Sequence, residues 1–383
     1  MVKTFFDTQR LKPLLQVSFC ILLLIITIVV IEFSGFIIKE LFHNKETEPI
    51  RTEEPKISTH IIPETPFRFD PNSKSSTTPI TQFVLLSFDG SKSINMWKET
   101  LSFADEMRAQ GKKINFTYFV NSIYFLAEEN KLRYVPPYGN PGASAIGYAE
   151  SMDSINERVK EVNIAIDKGH EIASHATGHW SGGIFWNVED WLKEFNSFDD
   201  IFFNVEKNNP QIVFTEKLKI TRDKVRGFRA PELSVNDNMY TALSKSGFYY
   251  DSSGISYDDE WPTIDKGGVW HIPIPAVYFS GMRRSIIAVD YSIWVNQTDG
   301  LDVLKQGSDE WNLKLKDLVD GYFNHFLLNY YSNKAPMIID HHFSKWNDGL
   351  YWEAMKGFAE KVCGLPNVRC STFSELVNYM ETK

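Results

Sequence analysis

The chain has 383 residues, 43% hydrophobic, 14% aromatic and 23% charged, with a formal net charge of −9 at pH 7. This composition excludes a chain that is disordered throughout. The acidic balance argues against a nucleic-acid partner, which calls for a basic face.

Taken in chain order, the first feature is an uncharged apolar run, "LLQVSFCILLLIITIVVI", from Leu14 to Ile31. As a helix its length is about 27 Å, close to the hydrocarbon thickness of a bilayer. Lys3, Arg10 and Lys12 precede it, which places a cytoplasmic N-terminus at 1–13. No small-x-small cleavage site follows, so the run reads as an uncleaved signal anchor over 14–38. The rest of the chain is then expected outside the cytoplasm, periplasmic or extracellular. Residues 39–80 are rich in Glu, Lys, Thr, Ser and Pro and predict an extended linker.

From residue 81 to 383 the pattern changes to alternating strands and helices. "QFVLLSF" (82–88) is a continuous apolar run, as in a parallel strand covered on both faces. Ile94, Trp97, Leu101 and Ala104 follow at helical spacing. "INFTYFV" (114–120) predicts the next strand, a helix follows over about 153–168, and "HEIASH" opens a third. "KVRGFRA", "GFYYDSS", "VWHIPIP", "SIIAVDY", "PMIIDHH" and "VRCSTF" predict further strands. Repeated βα units imply an α/β domain with a parallel sheet, closed into a barrel or left open, whose functional groups gather at the carboxyl ends of strands. Cys363 and Cys370 frame "CGLPNVRC" and can close a disulfide in an oxidising compartment. Asn115 and Asn296 match the glycosylation pattern, the former inside a predicted strand and therefore discounted.

The polar residues at the predicted strand ends form a sequence of their own. Asp89 follows the first strand, and His175 and His179 follow the third. Arg229 lies in "FRAPE", Asp251 in "YYDSS", and Asp340, His341 and His342 end "PMIIDHH". Four of the nine histidines fall in two of these places. His175 and His179 share one face if a helix begins there. Neutral imidazoles suit Zn²⁺ and similar ions, but two of them make an incomplete site.

In this order, strand–Asp, His-x-x-x-His, Arg-x-Pro, strand–Asp and apolar strand–His, the motifs resemble those of the polysaccharide deacetylases, the chitin- and peptidoglycan-deacetylase-like carbohydrate esterases. The resemblance runs over about residues 82–378. It implies a distorted (β/α) barrel of about seven parallel strands. It implies a divalent metal, Zn²⁺ foremost, on His175 and His179, with Asp89 as base and Arg229 holding that base ionised. It implies His341 as general acid, with adjacent His342 leaving the register open, and Asp251 tuning the acid. The activity implied is a membrane-anchored, metal-dependent N-deacetylase acting on an N-acetylated polysaccharide or oligosaccharide. Such a substrate predicts an aromatic-lined groove, for which Tyr138, Trp180, Trp186 and Trp346 are candidates beside the loop 134–148. One departure stands out: the family pairs two adjacent Asp in its first motif, and here Gly90 follows Asp89. An impaired, glycan-binding relative is the alternative that this departure favours.

Overall fold

The computed structural model describes residues 81–382. The expected cytoplasmic segment, anchor and linker lie outside them. None of the described helices is long and apolar enough to cross a membrane.

The sheet is built around β1 (Gln82–Gly90), buried from Gln82 to Asp89. Both of its faces are covered, which is why its sequence shows no polar alternation. β1 is flanked by β2 (Thr117–Val120) and by β11 (Met337–His342), and β12 (Val368–Ser371) pairs with its first half. Beyond β2 the order continues through β3 (Glu171–Ser174), β4 (Gly227–Phe228), β5 (Tyr250–Asp251) and β8 (Trp270–His271), all parallel. β7 (Thr263–Ile264) then adds antiparallel to β8. Seven mutually parallel strands, β11-β1-β2-β3-β4-β5-β8, therefore form the main path.

The path is not closed by its own hydrogen bonds. A second sheet, β10-β9-β6, comprises β6 (Ile255–Ser256), β9 (Ile274–Phe279) and β10 (Arg284–Ile287). It abuts the free edge of β11, where Val289 bridges to Asp340 and Asp340 N donates to Ala288 O at 2.9 Å. The architecture is thus an α/β half-barrel with a small sheet against its open side.

Several of the helices are amphipathic and begin with a side-chain cap. In α1 (Ile94–Ala109) Trp97, Leu101 and Ala104 are buried, and Ser93 caps its start by accepting from Met96 N. α2 (Met152–Asp167) and α3 (Val188–Phe203) each begin with a reciprocal capping box, from Ser151/Ser154 and Asn187/Asp190. The other long helices are α4 (Asp237–Lys245), α5 (Asp290–Thr298), α6 (Asp309–Tyr331), α7 (Trp346–Val362) and α8 (Phe373–Glu381). Cys363, just past α7, is disulfide-bonded to Cys370 in β12, with Cα atoms 5.6 Å apart. Asn115 is buried and its amide donates to Gly169 O at 2.5 Å, consistent with discounting it as a glycan acceptor.

Candidate functional site

Strand parity decides which strand-end residues meet. In the β1–β11 ladder Ser87 lies beside Asp340, Phe88 beside His341, and Asp89 beside His342. Side chains alternate across a sheet, so Ser87, Asp89, Asp340 and His342 share the inner face. Phe88 and His341 point the other way. Phe88 packs on Phe116, Tyr118 and Trp352, and the His341 ring meets the Tyr322 hydroxyl of α6 at 3.4 Å. The same parity governs β4 and β5, where Phe228 pairs with Asp251. Arg229 and Ser252, one residue on, face inward together: Arg229 Nε donates to Ser252 O at 3.0 Å and Nη2 to Ser252 Oγ at 3.1 Å.

A cavity of about 490 Å³ opens at the carboxyl ends of the strands, with Asp89, His175, His179, Asp340 and His342 on its wall. Glu232, Leu233, Ile287, Val289, Tyr291 and Ser292 line the rest. At its floor Arg229, fully buried, spreads its guanidinium over the Phe119 ring, 4.0 Å from the centroid. Its Nη1 donates to Asp89 Oδ1 at 2.9 Å, to Ser87 Oγ at 3.1 Å, and to Asp340 Oδ1. Two buried carboxylates thus share one cation. Burial pushes the Asp340 carboxyl well above its ordinary range despite Arg229. Burial would also raise Asp89, but Arg229, His175 and His342 outweigh it and hold that carboxyl below the usual range. Asp89 is therefore the ionised member of the pair at neutral pH.

His175 extends β3, its backbone N donating to Val120 O at 2.8 Å. Burial pushes its imidazole down to about 3, so the ring is neutral. Nδ1–H donates to Arg229 O at 2.8 Å, which leaves Nε2 as a buried lone pair without a hydrogen-bond partner, 3.8 Å from Asp89 Oδ2. His179 is not one helical turn further on. Residues 175–180 form a loop in which Ala176 and His179 adopt left-handed φ of 59° and 58°. The loop nonetheless brings the two rings together, 5.1 Å between centroids. Burial, helped by the charge of His342, lowers His179 as well.

Buried Glu194 of α3 holds this loop in place. Its Oε1 accepts from Thr177 N and Gly178 N, both at 2.9 Å, and its Oε2 accepts from the Tyr134 hydroxyl at 2.8 Å. The loop 134–148 adds Ala145 N to Gly178 O at 2.9 Å. A side chain at position 178 would collide with the Tyr134 hydroxyl and the Trp180 ring.

His342 is the cationic histidine of the cavity. Burial would lower it, but the Asp290 carboxylate outweighs burial and raises it to about 9. Its Nδ1 lies 2.7 Å from Asp290 Oδ1, its backbone N donates to Asp290 Oδ2 at 2.9 Å, and 32% of its side chain remains exposed. His341 is pushed down to about 4 by burial and is neutral.

Of the six expected site residues, Asp89, His175 and His179 line the cavity and Arg229 braces Asp89 from below. His341 and Asp251 do not come to it. His342, and not His341, reaches the cavity from β11, because His341 lies on the outer face of that strand. Asp251 faces away too: its carboxylate accepts from Ser253 Oγ at 2.5 Å and lies 3.8 Å from His271 Nδ1. Sequence reading missed Glu194 and Asp290, whose roles come from long-range contacts. It also assigned Asp340 no role, although the sharing of Arg229 follows from the β1–β11 register.

A metal finds one prepared donor here, the Nε2 lone pair of His175, oriented through its other nitrogen as a ligating imidazole requires. A full set is missing. Gly90 offers no carboxylate, Asp89 Oδ1 is committed to Arg229, and His342 carries positive charge at the same cavity. Among the described residues no three His, Cys, Asp or Glu side chains are placed to hold an ion. The Zn²⁺ expected on His175 and His179 does not fit the donors present.

Of the aromatic candidates, Trp346 stands 5.5 Å from His342, ring to ring. Trp186 is buried against Trp191, and Tyr138 packs on Phe185. None of the four, Trp346 included, is among the residues lining the cavity.

No protein-family model matches the chain, and no curated protein matches it. Solved structures do match. A protein from Mycobacterium smegmatis, provisionally described as a polysaccharide deacetylase, is 15% identical with a TM-score of 0.52, over 80% of this chain and 93% of that one. The PuuE allantoinase is 13% identical with a TM-score of 0.46, over 83% and 99%. A family 4 carbohydrate esterase from Streptomyces lividans, in complex with acetate, is 12% identical with a TM-score of 0.39, over 76% and 93%. The chain has a polysaccharide deacetylase-like fold.

Proposed function

We propose that the chain is a hydrolase that removes acetyl groups from an N-acetylated glycan, with Asp89 and His342 as its acid–base pair. The observation that carries this reading is their convergence: an ionised carboxylate braced by Arg229 and a protonated imidazole braced by Asp290 face one cavity from adjacent strands. Asp89 takes a proton from water as its oxygen attacks the acetyl carbon. The imidazolium of His342 sits where charge develops, and it protonates the departing nitrogen as the C–N bond breaks. Acetate and a free amine result. Leu233, Ile287 and Val289 give the cavity an apolar wall suited to the acetyl methyl. The carboxylate and imidazolium have pKa values pushed in opposite directions, the arrangement that separates base from acid.

Two sharper elements belong to the same reading. The apolar run Leu14–Ile31, after three basic residues, supports a single-pass anchor with the catalytic domain outside the cytoplasm. Metal dependence, with the ion on His175 and His179, demands at least one more ligand than these residues provide, so the chemistry above is written without it. Gly90 favours a second reading, a glycan-binding protein that keeps the cavity and releases nothing.

The test is acetate release by the full chain, in detergent, from N-acetylated oligosaccharides, with and without added Zn²⁺ and beside Asp89→Asn. Release that is lost in Asp89→Asn and unchanged by Zn²⁺ supports the metal-free reading. Strict Zn²⁺ dependence restores the metal. Glycan binding without release under either condition selects the second reading.

A further inference from the structure

Asp340 borders the cavity from β11 and has no part in the chemistry above. It is fully buried, and its two oxygens differ. Oδ1 accepts from Ser87 Oγ at 2.7 Å and from Arg229 Nη1. Oδ2 is buried without a hydrogen-bond partner. A carboxyl that served only to anchor Arg229 would turn both oxygens to the guanidinium, the common fork-to-fork pairing. Arg229 instead gives the same nitrogen, Nη1, to Asp89 as well, so two carboxyls meet at one cation. Neighbouring carboxyls do not readily ionise together. Burial, with the Asp89 charge beside it, raises Asp340, which is the protonated member of the pair. Two donors already occupy Oδ1, so the proton belongs on Oδ2. There it is a donor with nothing in the protein to bond, which buried polar groups rarely are.

We infer that Asp340 is a third catalytic residue, whose Oδ2–H bonds the acetyl oxygen and gives it a proton, the polarising task that a metal ion would otherwise perform. This rests on the hydrolase reading of the cavity, and it lets that reaction run on donors that do not fit a metal. Asp89 takes one proton from water as the water oxygen bonds to the acetyl carbon. The C=O π pair takes the Asp340 proton, so the tetrahedral adduct is neutral and carries two hydroxyls. His342 protonates the nitrogen, the C–N pair leaves with the amine, and one hydroxyl returns its proton to Asp340. Acetic acid and a free amine depart, and the proton on Asp89 passes through solvent to His342. Two aspartates sharing one proton divide the work in this way when amides are cleaved without metal.

The test reads the proton separately from hydrolysis. Infrared difference spectra of the full chain in detergent, wild type against Asp340→Asn at neutral pH, show whether a protonated carboxyl is lost. Acetate release from an N-acetylated oligosaccharide is then followed with chelator present in wild type, Asp340→Asn and Asp340→Val, each checked for fold by its thermal unfolding midpoint. The carboxyl band is expected in wild type alone. In Asp340→Val, kcat should fall about a hundredfold to a thousandfold with KM little changed. It should fall less in Asp340→Asn, whose Nδ2–H still meets the acetyl oxygen. The acidic limb set by Asp89 should stay in place in both, because the group removed is neutral. A missing band, release at the wild-type rate by folded Asp340→Val, or release that strictly requires added Zn²⁺ overturns the role of Asp340, although the hydrolase reading then stands. A wild type that shows the band and releases nothing, with or without Zn²⁺, overturns both.

Discussion

Replacing Asp290 by Asn tests the electrostatics of the site at its most exposed joint. Asp290 Oδ1 lies 2.7 Å from His342 Nδ1, and its carboxylate raises that imidazole from 6.5 to about 9. Asn is nearly isosteric and can still accept from His342 N, so the change removes charge more than shape. Without that charge, burial is opposed only by Asp89 and Asp340, and His342 falls from about 9 toward its ordinary value of 6.5. A fall from about 9 to 6.5 corresponds to about 3 kcal/mol of pair interaction. Partial exposure of the ring trims this to about 2 kcal/mol. Because the folded-state value is raised, this stability is fully present below pH 6.5 and is lost as pH climbs through about 9. Wild type should therefore lose thermal stability between pH 6 and 10 by a margin that Asp290→Asn does not show. His342 should titrate near 9 by NMR in wild type and well below that, toward 6.5, in the variant. The alkaline limb of acetate release should move acidward by about two pH units with it. A His342 that titrates near 6.5 in wild type, or an alkaline limb that stays in place in the variant, would refute the Asp290–His342 assignment.

Arg229→Met leaves Asp89 and Asp340 buried without their shared cation, and unfolding should become easier by about 3–5 kcal/mol, read by urea denaturation at neutral pH. Much of that loss should be recovered on acidification, as both carboxyls protonate. Glu194→Gln keeps one acceptor for the 175–180 loop but weakens the charge-assisted bonds to Thr177 N and Gly178 N. Amide exchange at those two positions should rise and acetate release should fall, with little change in the unfolding midpoint. Reducing the Cys363–Cys370 bond, which closes a short loop, should cost about 2–3 kcal/mol, measured as the shift in the urea midpoint with and without reductant.

Much of this site could be read from the sequence, because strand ends in parallel sheets collect functional side chains. Asp89, His175 and Arg229 each follow an apolar strand segment, and they meet as that rule expects. The residues that the sequence placed differently differ by parity. Asp251 and His341 both sit one residue before the inward-facing positions, occupied by Ser252 and His342. A run such as "IIDHH" carries no mark of which histidine turns inward until its partner strand sets the register. The helical reading of His175–His179 failed for a different reason: the spacing matches a helix, but the left-handed turns at Ala176 and His179 are held by Glu194 and Gly178 packing against Tyr134. Glu194 lies nineteen residues from His175, and Asp290 is further still from His342. Contacts of that range leave no local pattern to find. The open side of the barrel was equally hidden, since β6, β9 and β10 look like any other strands until the small sheet they form is seen against β11.

The most direct test compares the two neighbouring histidines. Acetate release from an N-acetylated oligosaccharide is measured for the full chain, His342→Gln and His341→Gln, each checked for an intact fold by circular dichroism. The account predicts release by wild type, at least a hundredfold loss in His342→Gln, as expected for a missing general acid, and substantial release by folded His341→Gln. Loss in folded His341→Gln with activity kept in His342→Gln would contradict it.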